Sequence, residues 1–242
     1  MGHVVLPALI PDIRRVYDVY FAAFEHDLMG RIMLDIIFPG SQITAEGFRK
    51  AHTAGTLQYW HTSTEQYTVK CVDTSSGETI GMGLTDVYLR ERSPEQRRNH
   101  GVTWLEGEHR ERAEKVLNPL WEMREKLFGG RPYIYCHVIA VDPKHQGRKA
   151  GKALVQWWNQ LSELTGLPAY LESSPSTANL YKKMGYELLP EKITHKAEVL
   201  GTETDIEVPL MVKMPPAAGG MTFDEWRQKG YPEFPALPLA SP

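Results

Sequence analysis

The sequence predicts a mixed α/β single domain, and three observations carry that expectation. Some segments repeat apolar residues at three-and-four spacing, as helices do. Others alternate or run together in β-branched and aromatic residues, as strands do, and the two kinds interleave along the chain. At 242 residues, 42% hydrophobic and 24% charged, the chain can bury a sizeable core.

Taken in order, residues 3–9 (HVVLPAL) read as a short strand, and Pro7 suggests an edge. Ile10, Ile13, Val16, Tyr17, Tyr20, Phe21 and Phe24 then follow a helical period, with Pro11 suited to the first turn. Residues 44–57 are weakly helical. Residues 66–73 (QYTVKCVD) alternate as a strand, SSGE turns, and 78–90 returns as the second arm of a hairpin. Residues 91–112 are dense in charge and read as an exposed insertion leading into a helix over about 105–128. Ala113, Val116, Leu117, Leu120, Met123 and Leu127 give that helix its apolar stripe, and FGGRP stops it.

Residues 132–141 (PYIYCHVIAV) form a strongly apolar strand. A helix over about 149–165 follows, striped by Ala153, Leu154, Trp157, Trp158, Leu161 and Leu164 and ended by Gly166 and Pro168. Residues 168–173 make another strand, 175–184 a short helix ended by Gly185, and 191–200 and 206–214 two more strands. The resulting order is βααββαβαβαββ, which gives about seven strands in a mixed sheet flanked by helices. The domain spans 1–214, and the Pro/Gly-rich tail 215–242, with one amphipathic candidate at 222–229, reads as peripheral.

Bulk properties exclude several classes. A net charge of −3 lacks the basic excess of a general nucleic-acid binder. Cys71 and Cys136 lie in strand-like segments without disulfide or zinc spacing, so no metal is expected and a reduced, cytoplasmic compartment fits. The N-terminus lacks a signal-peptide pattern, and Leu6 stands where a myristoylation signal wants Ser or Thr. No apolar run is long enough to span a membrane. Monomer and homodimer both stay open.

The most informative stretch is VDPKHQGRKAGKAL, residues 141–154, which joins a strand to a helix. The first N–H groups of a helix have no intrahelical partner and carry the positive end of its dipole. A pyrophosphate placed there accepts several of them at once. Gly147 and Gly151 let the backbone come close, Arg148, Lys149 and Lys152 add charge, and Gln146 can donate a bond or brace the loop. Gly151-Lys152-Ala153 lacks the hydroxyl of a Walker motif, and the glycine spacing is not that of a dinucleotide-binding fingerprint.

Val141-Asp-Pro-x-x-Gln146-Gly-Arg148-x-x-Gly151-Lys-Ala153-Leu154 resembles the acetyl-CoA-binding motif of GNAT-type N-acyltransferases, a Gln/Arg-x-x-Gly-x-Gly/Ala pattern at a helix start. Counted from Arg148 the match is complete; counted from Gln146, Lys149 replaces the first glycine. Residues 171–187 (LESSPSTANLYKKMGYE) resemble a later segment of the same family, at the right separation. The resemblance covers roughly 3–214 and leaves 91–112 and the tail unexplained.

The resemblance implies acetyl-CoA as co-substrate and direct transfer of its acyl group to an amine. It implies a bulged strand at 133–141 that splays from its neighbour. The pantetheine arm then pairs with the backbone of Ile139 and Val141, and a main-chain N–H near Val138 to Ala140 faces the thioester oxygen. The phosphates fall to Gln146, Gly147, Arg148, Lys149, Ala150, Gly151 and Lys152. His137 is the first candidate base, since an ordinary imidazole titrates near 6.5. Glu172 is its rival. Tyr181, in the Leu-Tyr-x-Lys-x-Gly segment, is the candidate acid for the leaving thiolate. Ser174 stands where many members carry an Asn, and its hydroxyl can still bond CoA.

The acceptor lies outside these motifs. Aromatic residues in the first helices (Tyr20, Phe21, Phe24, Phe38, Tyr59, Trp60) favour a small-molecule amine over a protein lysine. A non-catalytic acyl-CoA sensor and a protein N-acetyltransferase are the alternatives, and Lys149 at a usual glycine is what favours the sensor.

Overall fold

The computed structural model describes residues 2–40 and 43–235. Its centre is a seven-stranded mixed sheet. The first strand, β1 (His3–Pro7), pairs antiparallel with β2 (Gln66–Asp73) and lies at one edge, as Pro7 foretold. β2 continues through the hairpin to β3 (Thr79–Tyr88), and β3 pairs antiparallel with β4 (Tyr133–Val141). β4 runs parallel to β5 (Ala169–Glu172). β5 pairs with β9 (Leu210–Lys213), and the two-residue β6 (Glu187–Leu188) closes the far edge against β9.

One face of the sheet carries α1 (Ile13–His26) and α4 (Gly107–Phe128). α1 lays Val16 and Val19 on Met82 and Ala140, while α4 lays Leu127 and Phe128 on Tyr133, Tyr135 and Tyr170. The other face carries α5 (Ala150–Thr165), whose Leu154, Val155 and Trp158 pack on Ile134, Cys136, Val69 and Ile80. α6 (Ala178–Lys183) joins α5 on that side through Tyr181.

The sheet count agrees with expectation, but its membership does not. Residues 191–200 are not one strand. They form β7 (Ile193–His195) and a single helical turn, α7 (Ala197–Leu200). Pro209 interrupts the expected strand 206–214, because it cannot donate to a ladder. It leaves β8 (Ile206–Val208) to pair with β7 in a separate two-stranded sheet, and β9 to enter the main one.

The helix α2 (Leu28–Ile37) escaped the sequence reading, and the weakly helical segment becomes α3 (Glu46–Thr62). Asp27 is the only residue between α1 and α2, and its carboxylate caps α2 by accepting from Gly30 N–H at 2.9 Å. A Cβ at Gly30 would lie 2.4 Å from the Phe24 carbonyl oxygen, so only glycine permits so tight a junction.

The charged stretch 91–112 is exposed over most of its length, as expected, yet anchored at a few points, and one further correction concerns the tail. Val102 is buried beside Ala113 and Val116, Trp104 Nε1 donates to Ile37 O, and Arg97 pairs with Glu125. The tail is not peripheral. Phe223 and Trp226 of α8 (Phe223–Gln228) are buried in the cluster of Phe128, Tyr133 and Tyr170. A reciprocal capping pair, Thr222 with Glu225, starts α8. Residues 236–242 of the tail lie outside the described residues.

Candidate active site

The site grows from an irregularity in the pairing of β3 with β4. Leu84 faces Val138, but Thr85 faces Cys136, so His137 is the extra residue of a β-bulge. His137 lies on the same face as Tyr135, and their rings meet at a tilt of 54° with 3.9 Å between centroids. Asp86 lies directly opposite Tyr135, which makes it the diagonal neighbour of His137. The His137 Nε2 to Asp86 Oδ2 distance is 2.7 Å.

Asp86 is held in place from three sides. Besides His137, Tyr88 Oη donates to it at 2.8 Å and Gln66 Nε2 at 3.3 Å. Burial works against its charge, but the imidazole and these hydrogen bonds outweigh it and hold the carboxyl at about 2. Asp86 is therefore an anion at neutral pH. It can orient the His137 ring and stabilise a proton on it.

Glu172 ends β5 in a different environment. Arg124 of α4 donates to Glu172 Oε1 and to Tyr135 Oη, each at 2.9 Å, and covers the Tyr135 ring at 4.2 Å. The Glu172 side chain is only 8% exposed. The carboxylate is thus engaged by a guanidinium rather than turned toward an incoming group.

Past Tyr135, β4 has no partner on its β5 side. Only Ile134 with Ala169 and Tyr135 with Tyr170 pair across that gap. Ile139, Ala140 and Val141 thus keep their β3 partners and face an open edge on the other side. Tyr181 reaches the gap from the opposite face to His137. It packs in the cluster of Cys136 and Ile139 and meets Tyr186 edge-on. Burial, with the Cys136 thiol adding to it, raises the Tyr181 hydroxyl well above the ordinary phenol, so it keeps its proton.

At the far end of β4 the chain makes one short helical turn, Pro143–His145, and enters α5. Gly147 stands at φ +75° and Lys149 at φ +72°. Two left-handed residues one apart fold the turn so that Ala150, Gly151 and Lys152 precede the first intrahelical bond, Ala153 N–H to Lys149 O. A Cβ on Gly147 would meet nothing within 4 Å, so the backbone there borders open space. Arg148, Lys149 and Lys152 are exposed around it. Gln146 Nε2 donates back to Val141 O at 3.4 Å, the bracing role. Ser174 is engaged elsewhere: its hydroxyl bonds Thr177 Oγ1 at 2.8 Å and Ser176 Oγ at 3.1 Å, inside the turn that leads to α6.

An acetyltransferase (GNAT) domain model matches residues 114–188, which run from α4 through β4, α5, β5 and α6. The probable acyltransferase SID5 of Ajellomyces capsulatus is 34% identical over 143 residues, 59% of this chain and 99% of that protein. The chain belongs to the GNAT acyltransferase superfamily. The fold agrees across this superfamily. Arylalkylamine N-acetyltransferase 2 from Aedes aegypti superposes with a TM-score of 0.62 at 10% identity, covering 88% of this chain and 99% of that one. A relative of histone acetyltransferase HPA2 from Corynebacterium glutamicum superposes at 0.58 and 18% identity, covering 89% and 97%. In this GNAT chain no described helix is long and apolar enough to cross a membrane.

Sequence reasoning missed Asp86, Arg124 and Tyr88. Asp86 did leave a trace, as a lone carboxylate in the apolar strand 79–88. Its partner could not be found without the register and the bulge.

Proposed function

We propose that this chain is an acetyl-CoA-dependent N-acetyltransferase that delivers the acyl group to a small-molecule amine by direct attack. The observation that carries this reading is the His137–Asp86 pair, set in a bulge where β4 parts from β5. The open backbone of Ile139, Ala140 and Val141 would hold the pantetheine arm as an added strand. The α5 turn from Gln146 to Lys152 would take the pyrophosphate on its N–H groups, with Arg148, Lys149 and Lys152 around it. Its left-handed residues and the open space beside Gly147 fit that group.

The amine would attack the thioester carbonyl as His137 Nδ1, the ring nitrogen left free when Nε2 donates to Asp86, or a water bound to it accepts the amine proton, with Asp86 stabilising the imidazolium. Tyr181 would return a proton to the departing thiolate. Glu172 is assigned to structure rather than to proton transfer, because Arg124 already holds it. Ser174 is left out of the CoA contacts, because its hydroxyl is spent on its own turn. The free, buried Cys71 and Cys136 fit a reducing, cytoplasmic setting.

The sensor reading rested on Lys149, and the backbone weakens it. Lys149 adopts the conformation that glycine would favour there, so the turn forms with lysine in place. The test is release of free thiol from acetyl-CoA across a panel of amines. Turnover that disappears in His137→Ala upholds the proposal. Tight CoA binding with no thiol release from any amine overturns it.

A further inference from the structure

A cleft of about 300 Å³ opens beside the base pair, lined by Tyr59, Glu65, Asp86, Tyr88, Arg92 and Gln96. We infer that this cleft selects an acceptor that carries a carboxylate, an amino acid rather than a plain amine, and that Arg92 holds that carboxylate. The inference rests on the acyl-transfer reading, because it takes the cleft that shares Asp86 with His137 as the place the acceptor enters.

Arg92 is set up as a receptor. Its backbone N–H donates to Gly130 O at 2.9 Å, and its carbonyl accepts from Arg97 Nε at 3.1 Å. The guanidinium lies 3.4 Å above the Tyr88 ring centroid. A guanidinium laid flat on a ring keeps its edge donors free for a planar, bidentate oxyanion. Nearby arginines are already matched, Arg97 to Glu125 and Arg124 to Glu172. Arg92, by contrast, lines the cleft and has no ion-pair partner among the described residues.

The spacing suits a small molecule. His137 meets Asp86 at 2.7 Å, Asp86 meets Tyr88 Oη at 2.8 Å, and Arg92 stacks on that same ring. His137 and Arg92 are thus linked through one aspartate and one tyrosine, so an acceptor spanning them carries an amine at one end and a carboxylate at the other. The charge balance favours a carboxylate over a phosphate. One guanidinium matches one negative charge, whereas a dianion would also face Glu65 and Asp86 in the same cleft. Those two acids instead suit the ammonium form in which an amine arrives.

The experiment pairs acceptors that differ in the carboxylate: glycine with glycinamide, γ-aminobutyrate with butylamine, lysine with lysinamide. Thiol release is measured for the wild type, Arg92→Gln and Arg92→Lys. At least one acid should exceed its neutral partner by about 10-fold or more in kcat/KM, through KM. Arg92→Gln should abolish that preference by lowering kcat/KM far more for the acid than for its neutral partner, and Arg92→Lys should keep part of it. Equal use of acid and neutral partner by the wild type, or an equal fall for both in Arg92→Gln, overturns the inference. Failure of the acyl-transfer reading has a different signature, no thiol release from any amine. Calorimetric titration of the same pairs into CoA-saturated protein then decides the carboxylate claim alone. A preference that Arg92→Gln removes upholds it, and identical heats overturn it.

Discussion

Replacing Asp86 with Asn tests the heart of the proposed site. The change keeps size and hydrogen-bonding capacity but removes the charge beside His137. Asp86 titrates at about 2 rather than the ordinary 3.8. That difference corresponds to about 2 kcal/mol of folded-state stability. Because the carboxyl is depressed on folding, its contribution is complete above pH ~4 and is lost as pH falls through ~2. Urea unfolding at a series of pH values should therefore show Asp86→Asn less stable by about 2 kcal/mol at neutrality, with the gap closing in acid. In the same protein, kcat/KM for thiol release should fall by about 100-fold or more, since neither the imidazole orientation nor its positive form is supported. A variant that keeps wild-type kcat/KM, or a stability gap that does not narrow in acid, would refute the pairing of Asp86 with a working base.

Tyr181→Phe should lower kcat by about 10- to 1000-fold with CoA affinity preserved by calorimetry; unchanged kcat removes the hydroxyl from the reaction. His137→Ala should flatten the acidic limb of the pH–rate profile, and a limb that persists in it but vanishes in Glu172→Gln would restore Glu172 as the base. Arg124→Gln should cost about 3 kcal/mol in urea unfolding, because it strips the buried Glu172 carboxylate of its partner; the double variant with Glu172→Gln should recover much of that loss. Lys149→Gly should raise stability by about 0.5 kcal/mol, since the left-handed strain removed exceeds the added chain entropy, and a lower melting temperature would contradict the backbone account.

The strands from β1 to β5 and the helices α1, α4 and α5 were legible because their apolar periods are long and match their burial. The α5 turn was legible for another reason: Gly147 and the basic residues around it are needed locally, whatever the rest of the chain does. What escaped the sequence depends on contacts between distant segments. α2 is continuous with α1 in composition, and only a one-residue cap separates them. Residues 191–200 alternate like a strand, yet they sit over α4 rather than in the main sheet, a choice no local pattern records. The same holds at the site. His137 stood out as a histidine in an apolar strand, but its partner is 51 positions away and becomes adjacent only through the bulge. Glu172 looked available until Arg124 arrived from α4.

The placement of α8 has a practical consequence. The matched family segment stops at residue 188, well short of α8. A chain trimmed to that block, or even cut after Lys213, would uncover the aromatic floor made by Phe128, Tyr133 and Tyr170. These three share their cluster with Tyr135, whose ring packs against His137. Such a truncation would present a sticky surface and tend to self-associate. It would also slacken the support beneath the imidazole, so an inactive fragment would say nothing about the chemistry of the whole protein.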